Sequence, residues 1–504
     1  MSLELLKAAA DSNQWVAIMP EIVLGCAALF LLVMEIVLPK SQHRFIPVAA
    51  VLALGAVLVA LIANFQTVWL GESTFAGLIR HTQAGQIARV FFVTSALLVC
   101  FIAGLVLPRS KLPRVEFYHI VLVITAAMML LAQSDHFVML FVALETITIG
   151  FYILVSYFRN NPLTLEAGLK YLVMGALSSA IMLFGIVLIY GAVGKVTGAD
   201  GLVHTGFEFD TIATFLHAHP DNLLATVGAV LVLSGVAFKI GAFPFQIWIP
   251  DVYQGAPTPV TAFLAVASKA AGFAVLMTLV LNVFAPLQAV LVPLLSTLAA
   301  ATLIFGNLSA LTQRNAKRLM GLSGVSHAGF LLLGVVAALT VPWASGAVWF
   351  YLFTYMLASM AVFGVMAHLS GDDDTAADLD SYDRLAKERP LLGAVLAIGV
   401  GSLAGIPPLA GFMGKLLVFI AAFEAHLYGL LAIAIVCVVV SIYYYFGWIK
   451  AAWFETWRPE GDAATTSTRP VPTFLSTVVL AFLALATVAL GLFQAPLTSW
   501  LVLK

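Results

Sequence analysis

The stretch FKIGAFPFQIWIPDVYQGAPTPVTAFLAVASKAAGF, residues 238–273, places two lysines in apolar sequence that proline and glycine interrupt. Lys239 lies just before the interruption GAFPF at 241–245, and Lys269 lies deep in the following apolar run. A charged side chain at the centre of a membrane helix costs roughly 2.5–3.5 kcal/mol on insertion scales, and such residues usually mark ion or proton pathways. The stretch therefore predicts a membrane protein that moves charge.

The composition of the whole chain agrees with this prediction. Of its 504 residues, 62% are hydrophobic and only 10% are charged, and the mean hydropathy is +1.04. A chain this apolar cannot form one water-soluble core, so we predict an all-α polytopic membrane protein whose surroundings are the lipid bilayer. The net charge of −1 gives no field for nucleic acid, and none is expected as a partner.

The cysteines give no sign of a disulfide framework or a metal site. There are three of them, and each lies in a separate apolar run. Such spacing is typical of small buried hydrophobic residues. No Gly-rich phosphate loop and no haem or iron–sulfur ligand set is visible either, so the sequence predicts no cofactor and no metal in this chain.

Fourteen apolar runs have about the length of ~20 residues that a helix needs to cross the bilayer. We number the predicted transmembrane helices 1 to 14, and they cover residues 17–38, 46–65, 86–107, 115–133, 136–158, 164–192, 223–246, 257–283, 286–311, 317–339, 344–369, 391–421, 427–450 and 473–494.

The basic residues predict the orientation of these helices. We number each connection after the helix that precedes it. Fifteen lysines and arginines lie in the odd-numbered connections, against five in the even-numbered connections, the termini and the start of helix 3. Because cytoplasmic loops are enriched in lysine and arginine, the odd-numbered connections are predicted to be cytoplasmic. Both termini then lie on the outer, periplasmic side. The charged segments 370–390 and 451–472 are predicted cytoplasmic linkers.

Two of the predicted helices are broken. Helix 7 contains GAFPF at 241–245, and helix 12 contains GIPPLAG at 405–411. Paired interruptions in two halves of a chain suggest an inverted repeat, and the numbering makes helices 7 and 12 run in opposite directions. We therefore predict two inverted five-helix repeats, helices 4–8 and 9–13. The predicted division of the chain is 1–114, 115–283, 284–453 and 454–504.

Several ionisable side chains are predicted to lie at a similar depth in the membrane. At 1.5 Å per residue, Lys239 is ~12 Å, Lys269 ~20 Å and His327 ~15 Å from the cytoplasmic end of its helix. Glu145 is near the middle of helix 5, and Lys415 follows the break in helix 12. A carboxylate beside a buried lysine can switch the lysine between its protonated and neutral states, and histidine can relay protons near neutral pH. The sequence thus predicts a row of proton carriers parallel to the membrane.

Simpler interpretations of the same residues remain open. The lysines could extend to the membrane surface, above all Lys170, which is only ~9 Å into helix 6. His327 could be a histidine of the packed core. Glu21 and Glu35 flank helix 1 and are interpreted as interfacial. The tyrosines at 443–445 are interpreted as packing or interface residues.

Four segments resemble the antiporter-like membrane subunits of respiratory complex I, and among them most closely the subunit N family. The most specific is PDVYQGAPTPVTAF at 250–263. LSGVSHAGF at 322–330, SLAGIPPLAGFMGK at 402–415 and FVALETITIGFYIL at 141–154 support it. Together they extend the resemblance over helices 4 to 13.

The resemblance implies a proton-translocating subunit of NADH:quinone oxidoreductase in the bacterial inner membrane, driven by quinone reduction elsewhere in the complex. It implies other membrane-arm subunits as partners, including neighbouring antiporter-like subunits. FMN, iron–sulfur clusters and quinone would belong to partner subunits, with no redox chemistry in this chain. The positions that match the family's buried charges are Glu145, Lys239, Lys269 and Lys415, with Lys170 matching a helix-6 lysine of less settled role.

One position departs from the family. Where the resemblance implies a histidine shortly before Trp248, this chain has Gln246. A glutamine amide can hydrogen-bond water but does not titrate near neutral pH, so a relay through this position is not expected.

Two other functions remain open from the sequence. One is a subunit of a multi-subunit cation/proton antiporter, which shares this fold. The other is a structural membrane subunit that does not pump. The PDVYQGAP turn argues against the first, and the complete set of buried charges argues against the second. Co-purification with flavin and iron–sulfur subunits would identify a complex I subunit.

Overall fold

The structure is a computed structural model that describes residues 7, 10–65, 71–109, 115–197, 203–370, 374, 377–454 and 473–501. Most of the predicted linker 451–472 lies outside these residues. Five of the basic residues counted for the orientation lie outside them as well: Lys111, Arg114, Arg458, Arg469 and Lys504.

A helix occupies each of the fourteen predicted positions. Twelve of these are long and apolar enough to cross a membrane; helix 4 and the first half of helix 12 are shorter apolar helices. The prediction of an all-α, multi-pass membrane protein is confirmed. We keep the numbers 1 to 14, and the helices run over Met19–Val37, Ile46–Ala63, Gln83–Val106, Val115–Leu131, Phe137–Val155, Pro162–Val193, Leu223–Ile240, Thr258–Val283, Gln288–Ala310, Ala316–Ala338, Ala344–Leu369, Pro390–Ala404 continued by Ala410–Glu424, Tyr428–Trp453 and Phe474–Leu492.

Short elements connect these helices. Two antiparallel strand pairs lie in connections: Ser73–Thr74 pairs with Ile79–Arg80, and Lys195–Thr197 pairs with Val203–Thr205. Further short helices lie at Phe209–Ala218, Ile249–Gly255, Leu385–Glu388 and Ala495–Trp500.

Helices 10 and 11 form the centre of the bundle, whereas helices 1, 2 and 14 lie at its periphery. Small residues allow the close approach of neighbouring helices. A Cβ on Gly185 of helix 6 would lie 2.6 Å from the carbonyl oxygen of Gly228 in helix 7, and a Cβ on Gly306 of helix 9 would lie 2.5 Å from the amide nitrogen of Ser326 in helix 10. A larger residue at either glycine would push two helices apart.

Both predicted breaks are present, and each begins at a glycine in the left-handed conformation. Helix 7 ends at Ile240, and Gly241 follows with φ +74°. The first half of helix 12 ends at Ala404, and Gly405 follows with φ +85°. Because glycine has no Cβ, it adopts this helix-ending conformation readily. Helix 8 is irregular in another way, since π-helical turns at Leu264–Ser268 and Leu279–Val283 flank the α-helical segment that starts at Lys269.

The interpretation of Glu21 as an interfacial residue is wrong. Glu21 is buried in the first turn of helix 1 and forms an ion pair with the buried Arg89 of helix 3, whose Nε donates to Glu21 Oε1 at 2.7 Å. Gln133 Nε2 donates to the same carboxylate oxygen at 3.1 Å. The carboxylate is stable inside the protein because a charged partner and hydrogen bonds replace its water.

Candidate functional site

The amines of three lysines are buried inside the helix bundle. The exposed fraction is 8% for Lys239, 3% for Lys269 and 3% for Lys415. The interpretation that these lysines extend to the membrane surface is therefore wrong. Each amine instead finds hydrogen-bond acceptors inside the bundle, Lys239 and Lys269 on neighbouring helices and Lys415 on the first half of its own helix. A buried charged group requires such partners.

Glu145 and Lys239, the predicted partners, each bond a hydroxyl on a neighbouring helix rather than each other. Lys239 Nζ donates to Thr148 Oγ1 on helix 5, one helical turn from Glu145. The Glu145 carboxylate accepts a hydrogen bond from Ser179 Oγ on helix 6. The hydroxyl that Lys239 bonds lies three residues from Glu145 on helix 5, so the amine is within one helical turn of the carboxylate without a direct ion pair.

Helices 7 and 8 approach closely between Lys239 and Lys269. A Cβ on Gly272 would lie 3.4 Å from the Cβ of Lys239 and 2.7 Å from the side chain of Ile240. Gly272 is three residues after Lys269, so the two positions share one face of helix 8. The glycine thus lets the face that bears Lys269 pack against the end of helix 7 that bears Lys239.

Lys269 contacts helices 10 and 11. Its Nζ donates to the carbonyl oxygen of Gly324 at 2.5 Å and to the hydroxyl of Tyr355 at 3.3 Å. The amine also lies 4.8 Å from the centre of the Tyr355 ring, which is the geometry of a cation–π interaction. The irregular turn that precedes Lys269 belongs to the class of helix distortions found often at functional sites.

His327 lies between two tyrosine hydroxyls. Its Nδ1 is 2.8 Å from the hydroxyl oxygen of Tyr351, and its Nε2 is 3.1 Å from that of Tyr445. The ring of Tyr355 lies 4.8 Å from the imidazole, so one tyrosine touches both Lys269 and His327. The interpretation of residues 443–445 as packing or interface residues is confirmed, since Tyr444 and Tyr445 are buried and Tyr443 is exposed; Tyr445 in addition bonds His327.

Lys415 is held at the break of helix 12. Its Nζ donates to the carbonyl oxygens of Leu403 at 2.9 Å and Ala404 at 3.0 Å, the last residues of the first half of the helix. The carboxyl end of a helix carries a partial negative charge, which favours a cation there. The amine also lies 5.0 Å from the centre of the Phe330 ring, three residues after His327.

Lys170 and Gln246 lie apart from these contacts. Lys170 is about half exposed and pairs with Asp251 at 2.6 Å and Glu166 at 2.7 Å, so the structure does not bring it into the row. Gln246 is buried, and its Oε1 has no hydrogen-bond partner among the described residues. The amide oxygen is thus a free acceptor near the break of helix 7.

Five hydroxyl-bearing residues complete the site, and sequence reasoning missed all of them. They are Thr148, Ser179, Tyr351, Tyr355 and Tyr445. Residues of these types are common in apolar helices, and their spacing along the chain gives no signal. Within the described part of the chain, no group of three or more His, Cys, Asp or Glu side chains is placed to hold a metal ion.

Hydrogen bonds and aromatic contacts together join the central part of the row. Lys269, the Tyr355 hydroxyl, His327 and its two tyrosine partners form a connected cluster, with Lys239 on one side of it and Lys415 on the other. Amines, an imidazole and hydroxyls can all donate and, when neutral, accept hydrogen bonds. The cluster therefore consists of groups that can exchange protons with hydrogen-bonded neighbours.

Apolar helices, two of them broken, with buried lysines among them define a polytopic membrane protein that holds charged groups in its core. Residues 134–441 match the family model described as NADH:quinone oxidoreductase/Mrp antiporter, TM. The chain is 59% identical to NADH-quinone oxidoreductase subunit N 1 of Opitutus terrae, with 100% of both chains covered. It belongs to this family, as a relative of the N subunits.

Solved structures agree. A chain of respiratory complex I from Thermus thermophilus matches with a TM-score of 0.77 and 33% identity, over 95% of this chain and 98% of that one. A chain of the Mrp complex from Dietzia matches with a TM-score of 0.78 over 97% of this chain and 96% of that one. Since its identity is 21%, the second likeness shows the fold alone.

Proposed function

We propose that this chain is a proton-translocating membrane-arm subunit of NADH:quinone oxidoreductase. Protons move along the row from Glu145 through Lys239, Lys269 and His327 to Lys415, with hydroxyls and water between them. Quinone reduction in partner subunits drives the movement, and this chain performs no redox step itself. Its partners are the other membrane-arm subunits, including neighbouring antiporter-like subunits.

One observation supports this proposal above the others. Tyr355 contacts both Lys269 and His327 at the centre of the bundle, so the titratable groups of the two predicted repeats meet through one side chain. A structural membrane subunit does not require buried amines joined in this way, because apolar side chains would pack there at no desolvation cost.

The location follows from the same proposal. The chain is placed in the bacterial inner membrane with its odd-numbered connections in the cytoplasm and both termini outside. Residues 115–283 and 284–453 form the two inverted repeats, and the matching breaks after Gly241 and Gly405 support that division. Residues 1–114 and 454–504 flank the repeats.

The first test removes an amine from each broken helix. In the assembled complex reconstituted into vesicles, Lys239→Ala and Lys415→Ala should each lower the number of protons moved per NADH oxidised, or lower turnover if coupling is tight. Lys239→Arg should fail as well, because arginine cannot release its proton at physiological pH. Lys195→Ala, at an exposed position of the short strand Lys195–Thr197, is the control and should behave as wild type. A normal proton-to-electron ratio in both alanine variants would refute the proposal.

A cation/proton antiporter subunit is the alternative from another class of complex. The near-full-length 59% identity to an N subunit favours the complex I assignment. Purification separates the two: a complex I subunit co-purifies with FMN and iron–sulfur subunits. The isolated chain should then show no NADH oxidation, and activity in the proven absence of flavin subunits would contradict the claim that it has no redox chemistry.

A further inference from the structure

A cavity of about 340 Å³ opens at the end of the bundle where the even-numbered connections lie. This is many times the roughly 10–15 Å³ that one water needs. Arg80, Asp135 and Asp210 line its mouth, and Ala274, Met277 and Trp349 line its inner end. The side chain of Asp210 is 72% exposed, whereas Trp349 is 1% exposed. The cavity therefore leads from the surface into the buried core.

The lining of the cavity is partly polar. Arg80, Gln83, Ser134, Asp135 and Asp210 contribute charged or hydrogen-bonding side chains to it. A cavity holds ordered water when it is roomy enough and offers several polar partners. The size and lining of this cavity therefore suit water.

The inner end of the cavity lies close to the row of titratable groups. Lys269 and Tyr355 are in contact, and both helices run from that contact towards the cavity. Ala274 is five residues beyond Lys269, and Trp349 is six residues from Tyr355, which correspond to ~7.5 and ~9 Å along the helices. The ring of Trp349 packs against Phe91 at 6.2 Å, so aromatic side chains close the inner end.

Three charged side chains form ion pairs with one another at the mouth of the cavity. Arg80 Nε lies 2.9 Å from Asp135 Oδ2, and the same guanidinium pairs with Asp210 at the start of the helix Phe209–Ala218. The π-helical turn Leu279–Val283 of helix 8 forms another part of the wall. Charged groups from three connections thus hold the entrance beside an irregular turn of the helix that bears Lys269.

We propose that this cavity is a water-filled vestibule that links the Lys269 part of the row to the side of the even-numbered connections, with Trp349 as its closure. The inference rests on the proposed function, because it gives the row of proton carriers an aqueous opening. This opening lies between helices 3, 8 and 11, at a different place from Lys415. Its ligand is water, and the species that passes is a proton carried by water.

Thiol labelling of the assembled complex in oriented vesicles tests the vestibule. In a background with Cys26, Cys100 and Cys437 replaced by alanine, single cysteines are introduced and treated with a charged, membrane-impermeant methanethiosulfonate. Met277→Cys lines the cavity, and Val275→Cys is the equally buried control on the same helix that does not. Asn282→Cys, exposed at the mouth, reports the side. We expect Met277→Cys to react about tenfold or more faster than Val275→Cys, since a thiol in dry packing reacts only on local opening.

The same side must label Met277→Cys and Asn282→Cys. Equal rates for Met277→Cys and Val275→Cys, labelling from the opposite side, or labelling only after the subunit is separated from the complex would each overturn the vestibule. Trp349→Ala should raise the passive proton leak of the vesicles, measured without NADH, several-fold above the leak with Trp343→Ala. Trp343 is an exposed tryptophan and serves as the control. An unchanged leak would overturn the role of Trp349 as the closure. If Met277→Cys reacts fast while Lys239→Ala and Lys415→Ala pump normally, the proposed function fails and the vestibule stands.

Discussion

At the scale of single residues, the amines of the row are held by small neighbours as much as by polar ones. Gly324 is the clearest case, since its carbonyl accepts from Lys269 and its missing side chain leaves room for the amine. A Cβ there would lie 2.9 Å from Lys269 Nζ and 3.2 Å from the Tyr355 hydroxyl. The position of Lys269 therefore depends on a residue that cannot titrate.

Gly324→Ala should therefore impair pumping without removing any ionisable group. The methyl displaces the amine or the tyrosine, and a displacement of about 1 Å can cost on the order of 100-fold in a positioned reaction. We expect at least a several-fold loss of proton pumping in the reconstituted complex. Gly447→Ala on helix 13, where a Cβ meets nothing within 4 Å, is the control. Pumping at the wild-type rate in the Gly324 variant would show that the Lys269 contacts are not critical.

Replacement of His327 should have a larger effect than replacement of Gln246. Imidazole can carry a proton between Lys269 and Lys415, whereas the glutamine amide only orients water. In the intact complex, His327→Ala should reduce pumping strongly and Gln246→Ala should reduce it little. Complete loss in the glutamine variant, with assembly confirmed, would reverse this assignment; normal pumping in the histidine variant would make His327 a core residue.

Asp135 at the mouth of the cavity should titrate near pH 6. Burial raises the pKa of its carboxyl from 3.8 to about 6, Asp210 and Glu208 act in the same direction, and Arg80 opposes the rise. The group is therefore mostly ionised at pH 7 and mostly protonated at pH 5, where its ion pair with Arg80 is lost. Infrared difference spectra between these pH values should show the band of a protonated carboxylic acid. The band should be absent in the Asp135→Asn variant and present in the Asp221→Asn variant, which changes an exposed aspartate and serves as the control. A band already complete at pH 7 or absent at pH 5 would contradict the shift.

At the scale of elements, Asp374 links helices 8 and 10 through Thr258 and Lys317. The sequence did not predict this link, which we call the strap. Asp374 belongs to the charged segment 370–390, which was interpreted as a linker. It is buried at the start of helix 8, where its carboxylate accepts from Thr258 Oγ1 at 2.7 Å and from the Thr258 amide. Lys317 of helix 10 pairs with the same carboxylate at 3.2 Å. One carboxylate thus caps helix 8 and ties it to helix 10.

Asp374→Ala should destabilise the complex. Loss of one partner of a buried ion pair typically costs 3–5 kcal/mol, because the other charge stays buried. Thermal dissociation of the complex should occur at a lower temperature, and less assembled complex should form. Asp380→Ala, at an exposed position of the same segment, should leave both quantities unchanged. Equal stability of the two variants would mean that the strap contributes nothing.

At the scale of the whole molecule, the helices and their breaks were predictable from the sequence, but the contacts of the row were not. Apolar run length and glycine–proline interruptions are local signals, and they located the helices and the ends of helices 7 and 12. The partners come from distant parts of the chain: Thr148 is 91 residues from Lys239, and Tyr445 is 118 residues from His327. A single sequence gives the depth of a residue along its helix. It does not give the rotation of the helix about its axis or the helix that packs beside it.

The same limit explains the misinterpreted acidic residue. Glu21 is at the end of an apolar run, where an exposed carboxylate is common, and Arg89 is at the start of another. Only the packing of helix 1 against the helices of the N-terminal segment brings the two together, 68 residues apart. Depth alone could not distinguish an interfacial charge from a buried pair.

In the proposed relay, the two hydroxyls beside His327 leave the centre of the row without a preferred direction of proton transfer. Each hydroxyl can rotate to give or take a hydrogen bond, so neither tyrosine fixes which imidazole nitrogen holds the hydrogen. Both tautomers fit between the same two hydroxyls, but each passage leaves the hydrogen on the other nitrogen, so the imidazole ring must flip before a second proton passes in the same sense. In the proposed relay, a net movement in one sense is set at the two ends, where Lys239 bonds Thr148, one turn from Glu145, and Lys415 bonds helix carbonyls.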